Sequence, residues 1–427
     1  MSYSQFSLLT SLTLSALFAT AQSGIQTQSE KIVELEQQID SVVADAIRNE
    51  AFPGCVVYAS QRDSLIFFKS YGHYTYDSTK EVTNNSIYDL ASITKIIGAT
   101  LALMKLYEDS LIHLDNPIKK YINGLGKEVG KVTIREALAH QGGLLPWIPY
   151  YQKIKNRSGD FKKKYISTTP SEKHPFELSN GFFLCDDFYQ RIKRFIKKSE
   201  VAENPSYQYS GLFFYLVPEL VEKLSGQRYA DFLQTHFFDP LDAKTVGFSP
   251  LANFSEEFIA PTEVDSFFRM ELIHGKVHDE GAAMMQGVSG NAGLFSNAVD
   301  LAKVMRMLLN EGAHDTLQLL KPHTIDLFTT VQYPNLGNRR ALGFDKPLLQ
   351  YDTVKSSVAQ SSSRRSFGHS GYTGTLAWAD PKNDLVYIFL SNRVYPSRKN
   401  TALYRLNVRP TIHQLIYDYL RNRNEIN

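Results

Sequence analysis

The sequence predicts an α+β fold, an antiparallel sheet flanked by helices with a helical subdomain inserted between the two parts of the sheet. Three observations lead there. Two apolar runs near the start, 54–60 and 64–70, flank Gln61-Arg62-Asp63 and read as a hairpin. Two more near the end, Thr373 to Ala379 and Leu385 to Ser391, flank the turn-forming stretch Asp380-Pro381-Lys382-Asn383-Asp384. Between these pairs the apolar residues recur mostly at helical spacing. One sheet built from both ends of the chain follows, with its parts at about 30–88 and 286–427 and a helical part at about 89–285.

In chain order, residues 1–21 have the pattern of a secretory signal: Leu8 to Phe18 is apolar apart from small hydroxyls, and Ala19-Thr20-Ala21 is an A-x-A cleavage pattern. Export to the periplasm or the medium is therefore expected, with a mature domain spanning 30–427. Residues 30–50 read as an amphipathic helix through Ile32, Leu35, Ile39, Val42, Val43 and Ile47. Thr133 and Glu136 form a capping-box pattern that opens a short helix ending at Gly142-Gly143. The basic and aromatic stretch 150–200, with Lys162-Lys163-Lys164 and Lys197-Lys198, reads as a solvated helical insertion over the site. Residues 211–236 return to a helical pattern. His274 and His278 stand four apart, a spacing that can hold a metal on a helix. Gly275 interrupts that helix and no third ligand presents itself, so no metal is expected. The Gly-rich stretch 286–297 lacks the G-K-[ST] of a phosphate loop and suits tight packing against a site. Helices at 299–311 and 411–422 complete the chain.

Composition narrows the function. In 427 residues, 43% are apolar and 21% charged, which is ordinary for a globular protein. The 46 basic and 44 acidic residues leave a formal charge of +2, so there is no electrostatic case for nucleic acid. After the leader, no apolar stretch approaches the ~20 residues of a membrane span. The two cysteines, Cys55 and Cys185, are isolated and cannot build a disulfide framework.

The chemistry concentrates at Asp89-Leu90-Ala91-Ser92-Ile93-Thr94-Lys95, which leads into an apolar run from Ile96 to Leu106. That run reads as a buried helix, with Ser92 at its start and Lys95 one turn on. A Ser hydroxyl becomes nucleophilic when a neighbour takes its proton, and a Lys in an apolar site loses charge readily enough to do so. Backbone N–H groups at the helix start would face a developing oxyanion. Two later segments belong with this one: Tyr207-Gln208-Tyr209-Ser210-Gly211 and Gly368-His369-Ser370-Gly371-Tyr372-Thr373-Gly374. A phenol at Tyr209 can shuttle a proton, with a lowered pKa if a buried cation lies near. His369 can donate to a substrate carboxylate or assist proton transfer. Gly371 would let a substrate backbone run along the strand edge, and the Tyr372 N–H would supply a second oxyanion donor.

In this order and spacing the segments resemble the serine β-lactamase and penicillin-binding protein family, whose first motif is S-x-x-K. The resemblance covers about residues 35–425 and is nearest the branch of class C β-lactamases, D-alanyl-D-alanine carboxypeptidases and related esterases. Leu138 to Leu144, Gly290 to Ser296 and Leu390-Ser391-Asn392-Arg393 are similar to further stretches of that family. The resemblance implies a β-lactamase/transpeptidase-like fold and acyl transfer through Ser92. Lys95 is then its partner, Tyr209 the base or relay, and His369 part of the third motif, with no metal or cofactor. The implied substrate is a small molecule or a peptidoglycan peptide. One departure stands out: the second motif reads Tyr-x-Asn in the family, and here its third residue is Gly211. Losing that hydrogen-bonding side chain costs about 1–3 kcal/mol. This Gly, and a His in place of a fixed positive charge, point to a carboxypeptidase or esterase rather than an efficient β-lactamase. The competing reading is a catalytically weak relative whose cleft binds a cell-wall peptide or a protein partner.

Overall fold

A computed structural model describes residues 30–423 apart from residue 63; the leader expected at 1–21 lies outside them. The centre is a five-stranded antiparallel sheet. Its strands are β1 (Gly54–Gln61), β2 (Ser64–Gly72), β3 (Phe367–Ser370), β4 (Leu376–Asp380) and β5 (Leu385–Ser391), in the order β3-β4-β5-β1-β2. Cys55 pairs with Ser391 and Gln61 with Leu385, so the middle of the sheet joins the two ends of the chain.

Alternation along each strand sends side chains to opposite faces. Cys55, Val57 and Ala59 of β1, with Tyr387 and Phe389 of β5, pack on helices α1 (30–48) and α2 (Val408–Asn422). Val56, Ile388 and Leu390 face the other way, into the large core that holds helix α3 (Ala298–Leu309) and the Ser92 segment. Both faces are covered, which is why these strands read as nearly continuous apolar runs. Trp378 of β4 lies on the first of these faces and is 2% exposed.

Between the two parts of the sheet lies the helical region. Its capping box is present: Thr133 Oγ1 accepts from the Glu136 N–H and the Glu136 carboxylate accepts from the Thr133 N–H, at the head of Ile134–Leu138. Stretch 150–200 is only partly helical. It carries a short helix, Tyr150–Lys153, and a ten-residue helix, Phe188–Lys197. Between them three short strands, Ile166–Ser167, Phe176–Ser179 and Phe182–Leu184, make a small sheet. Across His274 and His278 the chain is irregular, as Gly275 suggested. The ring of His274 contacts the Ile259 carbonyl and that of His278 contacts Glu263, so the two rings serve different partners.

The apolar run after Ser92 is helical and buried, but it does not begin as an α-helix. Ala91–Ile93 is a 3₁₀ turn, Lys95–Thr100 a π-helical turn, and only Leu101–Glu108 is regular α-helix. Wide turns of this kind are frequent at functional sites, where they re-aim side chains. Ala91 itself has φ of +46°, a conformation that L residues other than Asn and Asp rarely adopt.

Candidate active site

Ser92 sits on a turn held from three sides. Behind it, the buried Asp89 carboxylate accepts from the Ala91 N–H at 2.8 Å and from the His278 N–H at 2.7 Å. Burial raises the Asp89 pKa, and those two N–H donors oppose the rise. Beside it, Tyr88–Asp89 pairs with Leu294–Ser296, and the Leu90 N–H donates to the Leu294 carbonyl at 3.0 Å. The Gly-rich stretch wraps the turn here. A Cβ on Gly290 would lie 2.4 Å from the Phe214 carbonyl and 3.3 Å from Ala99, so no side chain fits at that closest approach. On the third side, Thr373 Oγ1 donates to the Asp89 carbonyl at 2.7 Å.

The structure brings Ser92, Lys95 and Tyr209 together. Lys95 is 3% exposed; its Nζ donates to Ser92 Oγ at 2.9 Å and to the Asn291 carbonyl at 2.8 Å. The same Nζ stands 5.5 Å from the ring centres of both Tyr209 and Phe214. Tyr209 OH reaches Ser92 Oγ from the other side at 3.2 Å. The nucleophile candidate therefore has two proton-exchanging groups on one oxygen.

His369 lies behind Tyr209, with ring centres 5.9 Å apart, and is 4% exposed. Both its ring nitrogens are engaged within the protein: Nδ1 with the Ser370 carbonyl at 2.8 Å and Nε2 with Arg340 Nη1 at 3.4 Å. The second contact makes Nε2 the acceptor and leaves the proton on Nδ1. Burial, with the charges of Arg340 and Lys95 adding to it, pulls the His369 pKa down to about 3, so the imidazole is neutral. Gly371 also has a definite place. A Cβ there would meet Thr375 Oγ1 at 2.0 Å, the Leu90 carbonyl at 2.6 Å and Ala91 Cβ at 3.3 Å, so the missing side chain makes room for the nucleophile turn. Tyr372 is 48% exposed and lines the same cavity as Ser92.

That cavity has a volume of about 430 Å³. It is lined by Ser92, Lys95 and Tyr209, by Trp147, Tyr215 and Tyr372, and by His278, Asp279, Glu280 and Arg398. Gly211 lines it too: a Cβ there would find nothing nearer than the Pro146 carbonyl at 4.0 Å. The position is empty rather than filled by a substitute.

Two further residues support this group. Arg340, 5% exposed, stacks its guanidinium 5.2 Å from the Tyr209 ring centre, donates to Tyr207 OH at 3.2 Å and pairs with Asp345 at 3.4 Å. It arrives from a distant segment, and nothing in its local sequence signals the role. His140 has φ of +54° and its ring lies 4.5 Å from that of Tyr209. Its carbonyl accepts from the Gln208 N–H at 3.0 Å and its Nδ1 from the Ser210 N–H at 3.2 Å. Burial first, then the nearby charges, holds the His140 pKa well below its ordinary value. Tyr209 is thus gripped through the backbone on both sides by one neutral imidazole-bearing residue.

The chain is similar to known proteins over most of its length. The beta-lactamase family model matches residues 39–409. A protein of Escherichia coli O157:H7 named "Putative D-alanyl-D-alanine carboxypeptidase" is 28% identical over 388 residues, covering 84% of this chain and 83% of its own length. A penicillin-binding protein homologue from Caulobacter crescentus superposes with a TM-score of 0.62 at 16% identity, over 90% of this chain and 97% of that one. EstCE1, a hydrolase with promiscuous acyltransferase activity, superposes with a TM-score of 0.60 at 16% identity, over 90% and 99%. The two solved structures share the fold. With the family model spanning most of its length, the chain belongs to the beta-lactamase family and is a serine hydrolase of that family.

Proposed function

We propose that this hydrolase works through an acyl ester on Ser92 and that its substrate is a peptide of the D-Ala-D-Ala type or an ester. The observation that carries the reading is the double contact on Ser92 Oγ, from Lys95 Nζ at 2.9 Å and Tyr209 OH at 3.2 Å. The Ser92 proton passes to the Lys95–Tyr209 pair as Oγ bonds to the substrate carbonyl carbon. The oxyanion is received by the backbone N–H groups of Ser92 and Tyr372. The pair returns the proton to the departing amine or alkoxide, leaving the acyl-Ser92 ester. Water then attacks that ester, gives its proton to the same pair, and the acid leaves as Ser92 Oγ is reprotonated. Arg340 over the Tyr209 ring favours negative charge developing on that phenol during the transfers. No metal or organic cofactor is needed. The relatives named for D-alanyl-D-alanine carboxypeptidase support a cell-wall peptide, and the A-x-A leader supports action in the periplasm or outside the cell.

The empty Gly211 position favours a second reading, a cleft that binds a cell-wall peptide or protein partner with little turnover. Intact-protein mass separates the two. After fluorophosphonate or penicillin treatment, the wild-type protein gains the probe mass and Ser92→Ala does not. Penicillin trapping favours the peptidase-like site, and fluorophosphonate alone the esterase-like one. A folded wild type that gains neither mass refutes the acyl-Ser92 reading and leaves the binding one.

A further inference from the structure

The charges around the cavity do not balance. Arg398 is taken up by two carboxylates, Glu263 at 2.6 Å and Glu280 at 2.6 Å, and Glu263 also accepts from His278 Nε2 at 2.9 Å. Despite burial, those donors hold the Glu263 pKa down to about 2, so it stays ionised. Asp279, which lines the cavity beside them, has only neutral partners. Its Oδ1 accepts from Tyr215 OH at 3.0 Å and from the Ala282 N–H at 2.7 Å, and among the described residues no Lys or Arg pairs with it. The cavity it lines also holds the rings of Trp147, Tyr209, Tyr215 and Tyr372, of which Tyr215 touches it. Its placement is fixed as well. The neighbouring His278 N–H and the Ala91 N–H both donate to the Asp89 carboxylate, so Asp279 and Ser92 each lie one residue beyond the same buried clamp.

A carboxylate without a counter-ion, among aromatic faces, in a cavity that contains the nucleophile, is the chemistry that binds an ammonium group. Resting on the acyl-Ser92 reading, we infer that Asp279 is a specificity-determining residue that receives a cationic amine on the substrate, within a side chain's reach of the scissile carbonyl. Gly211, where a Cβ would meet nothing nearer than 4.0 Å, lines the same cavity.

The test compares two p-nitrophenyl esters of equal size, one ending in a trimethylammonium group and one in a tert-butyl group, on wild type, Asp279→Asn and Ser92→Ala. Asn is as good a helix cap as Asp, so the variant keeps the Ala282 contact. In wild type the cationic ester is favoured in kcat/KM by about tenfold, and in Asp279→Asn that ratio falls to about unity. Tetramethylammonium ion slows fluorophosphonate labelling of wild type and loses that effect in Asp279→Asn. Turnover that survives Ser92→Ala overturns the underlying acyl-Ser92 reading and this assignment with it. Ser92-dependent turnover with no charge preference in wild type, or with the same preference in Asp279→Asn, overturns the Asp279 assignment alone.

Discussion

Replacing Gly371 by Ala adds one methyl group, and the structure says where it must go. Its three nearest atoms are Thr375 Oγ1 at 2.0 Å, the Leu90 carbonyl oxygen at 2.6 Å and Ala91 Cβ at 3.3 Å. The first can rotate away only by giving up its 3.3 Å contact with that same Leu90 carbonyl. The other two belong to the turn that carries Ser92, where Ala91 is already at a φ of +46°. Overpacking of this kind costs about 1–3 kcal/mol. Relief requires the Leu90–Ala91 backbone to retreat by several tenths of an ångström, which moves Ser92 Oγ against Lys95 and Tyr209. Misplacement approaching 1 Å costs about 100-fold in rate. Gly211→Ala is the matched control, because its Cβ meets nothing within van der Waals distance. The expected outcome is a fluorophosphonate acylation rate down about 100-fold in Gly371→Ala, with a melting temperature lowered by only a few degrees. Gly211→Ala should stay within about threefold of wild type. A Gly371→Ala protein that acylates at the wild-type rate would refute the claim that this glycine seats the nucleophile turn.

Three further outcomes follow from the same geometry. Gly211→Asn fits the open position and should raise the rate of penicillin trapping by about tenfold, the hydrogen bond's worth on a rate scale; an unchanged or lower rate in a folded variant would count against the motif reading. Arg340→Met should lower kcat about tenfold with KM little changed, and Arg340→Lys should not restore it, since an ammonium cannot reach Tyr207, His369 and Asp345 together; a change in melting temperature alone would make Arg340 merely structural. Finally, buried His369 and His413 have pKa values near 3 where free His has 6.5. Their contribution is whole above about pH 6.5 and is lost as pH falls from there towards 3, because only the unfolded chain takes up the protons. The urea-derived stability should therefore decline in that window by about 1.4 kcal/mol per pH unit for each such His. His413→Phe, between Tyr387 and Tyr417 and away from the cavity, should make the decline shallower; an unaltered slope would show that His413 is charged in the folded state.

How much of this was legible in the sequence follows from which forces set each part. The hairpins of β1–β2 and β4–β5 were readable because β1, β4 and β5 are buried on both faces and so read as apolar runs, and a short polar turn separates the strands of each pair. The capping box at Thr133 was readable because it is a local hydrogen-bond pattern. Strand β3 was not: Phe367-Gly-His-Ser is four residues long, holds a Gly, and exists because β4 offers it an edge. The small sheet within 150–200 escaped a reading based on charge, although Asn180-Gly181 between two of its strands is a hairpin signal. At the site, Ser92, Lys95 and Tyr209 announce themselves by motif. Arg340 and Asp279 do not, because each gains its role from packing between segments far apart in the chain, and the Leu138–Leu144 stretch gives no sign of the hold that His140 has on Tyr209. His369 was legible as a member of the group but not in its placement behind Tyr209 with both nitrogens engaged.

The central strand of the sheet, β5, is synthesised long after its neighbour β1. Until β5 has left the ribosome, β1 and β2 are a lone hairpin, and two strands by themselves are marginally stable in water. The clasp on the nucleophile turn from Thr373 is missing for the same span of synthesis. A chain wired in this way cannot lock into its final shape early, and long-range pairing of this kind folds slowly. Until then it lacks both the finished sheet and that clasp, and it becomes a hydrolase only where its tail catches up with its head.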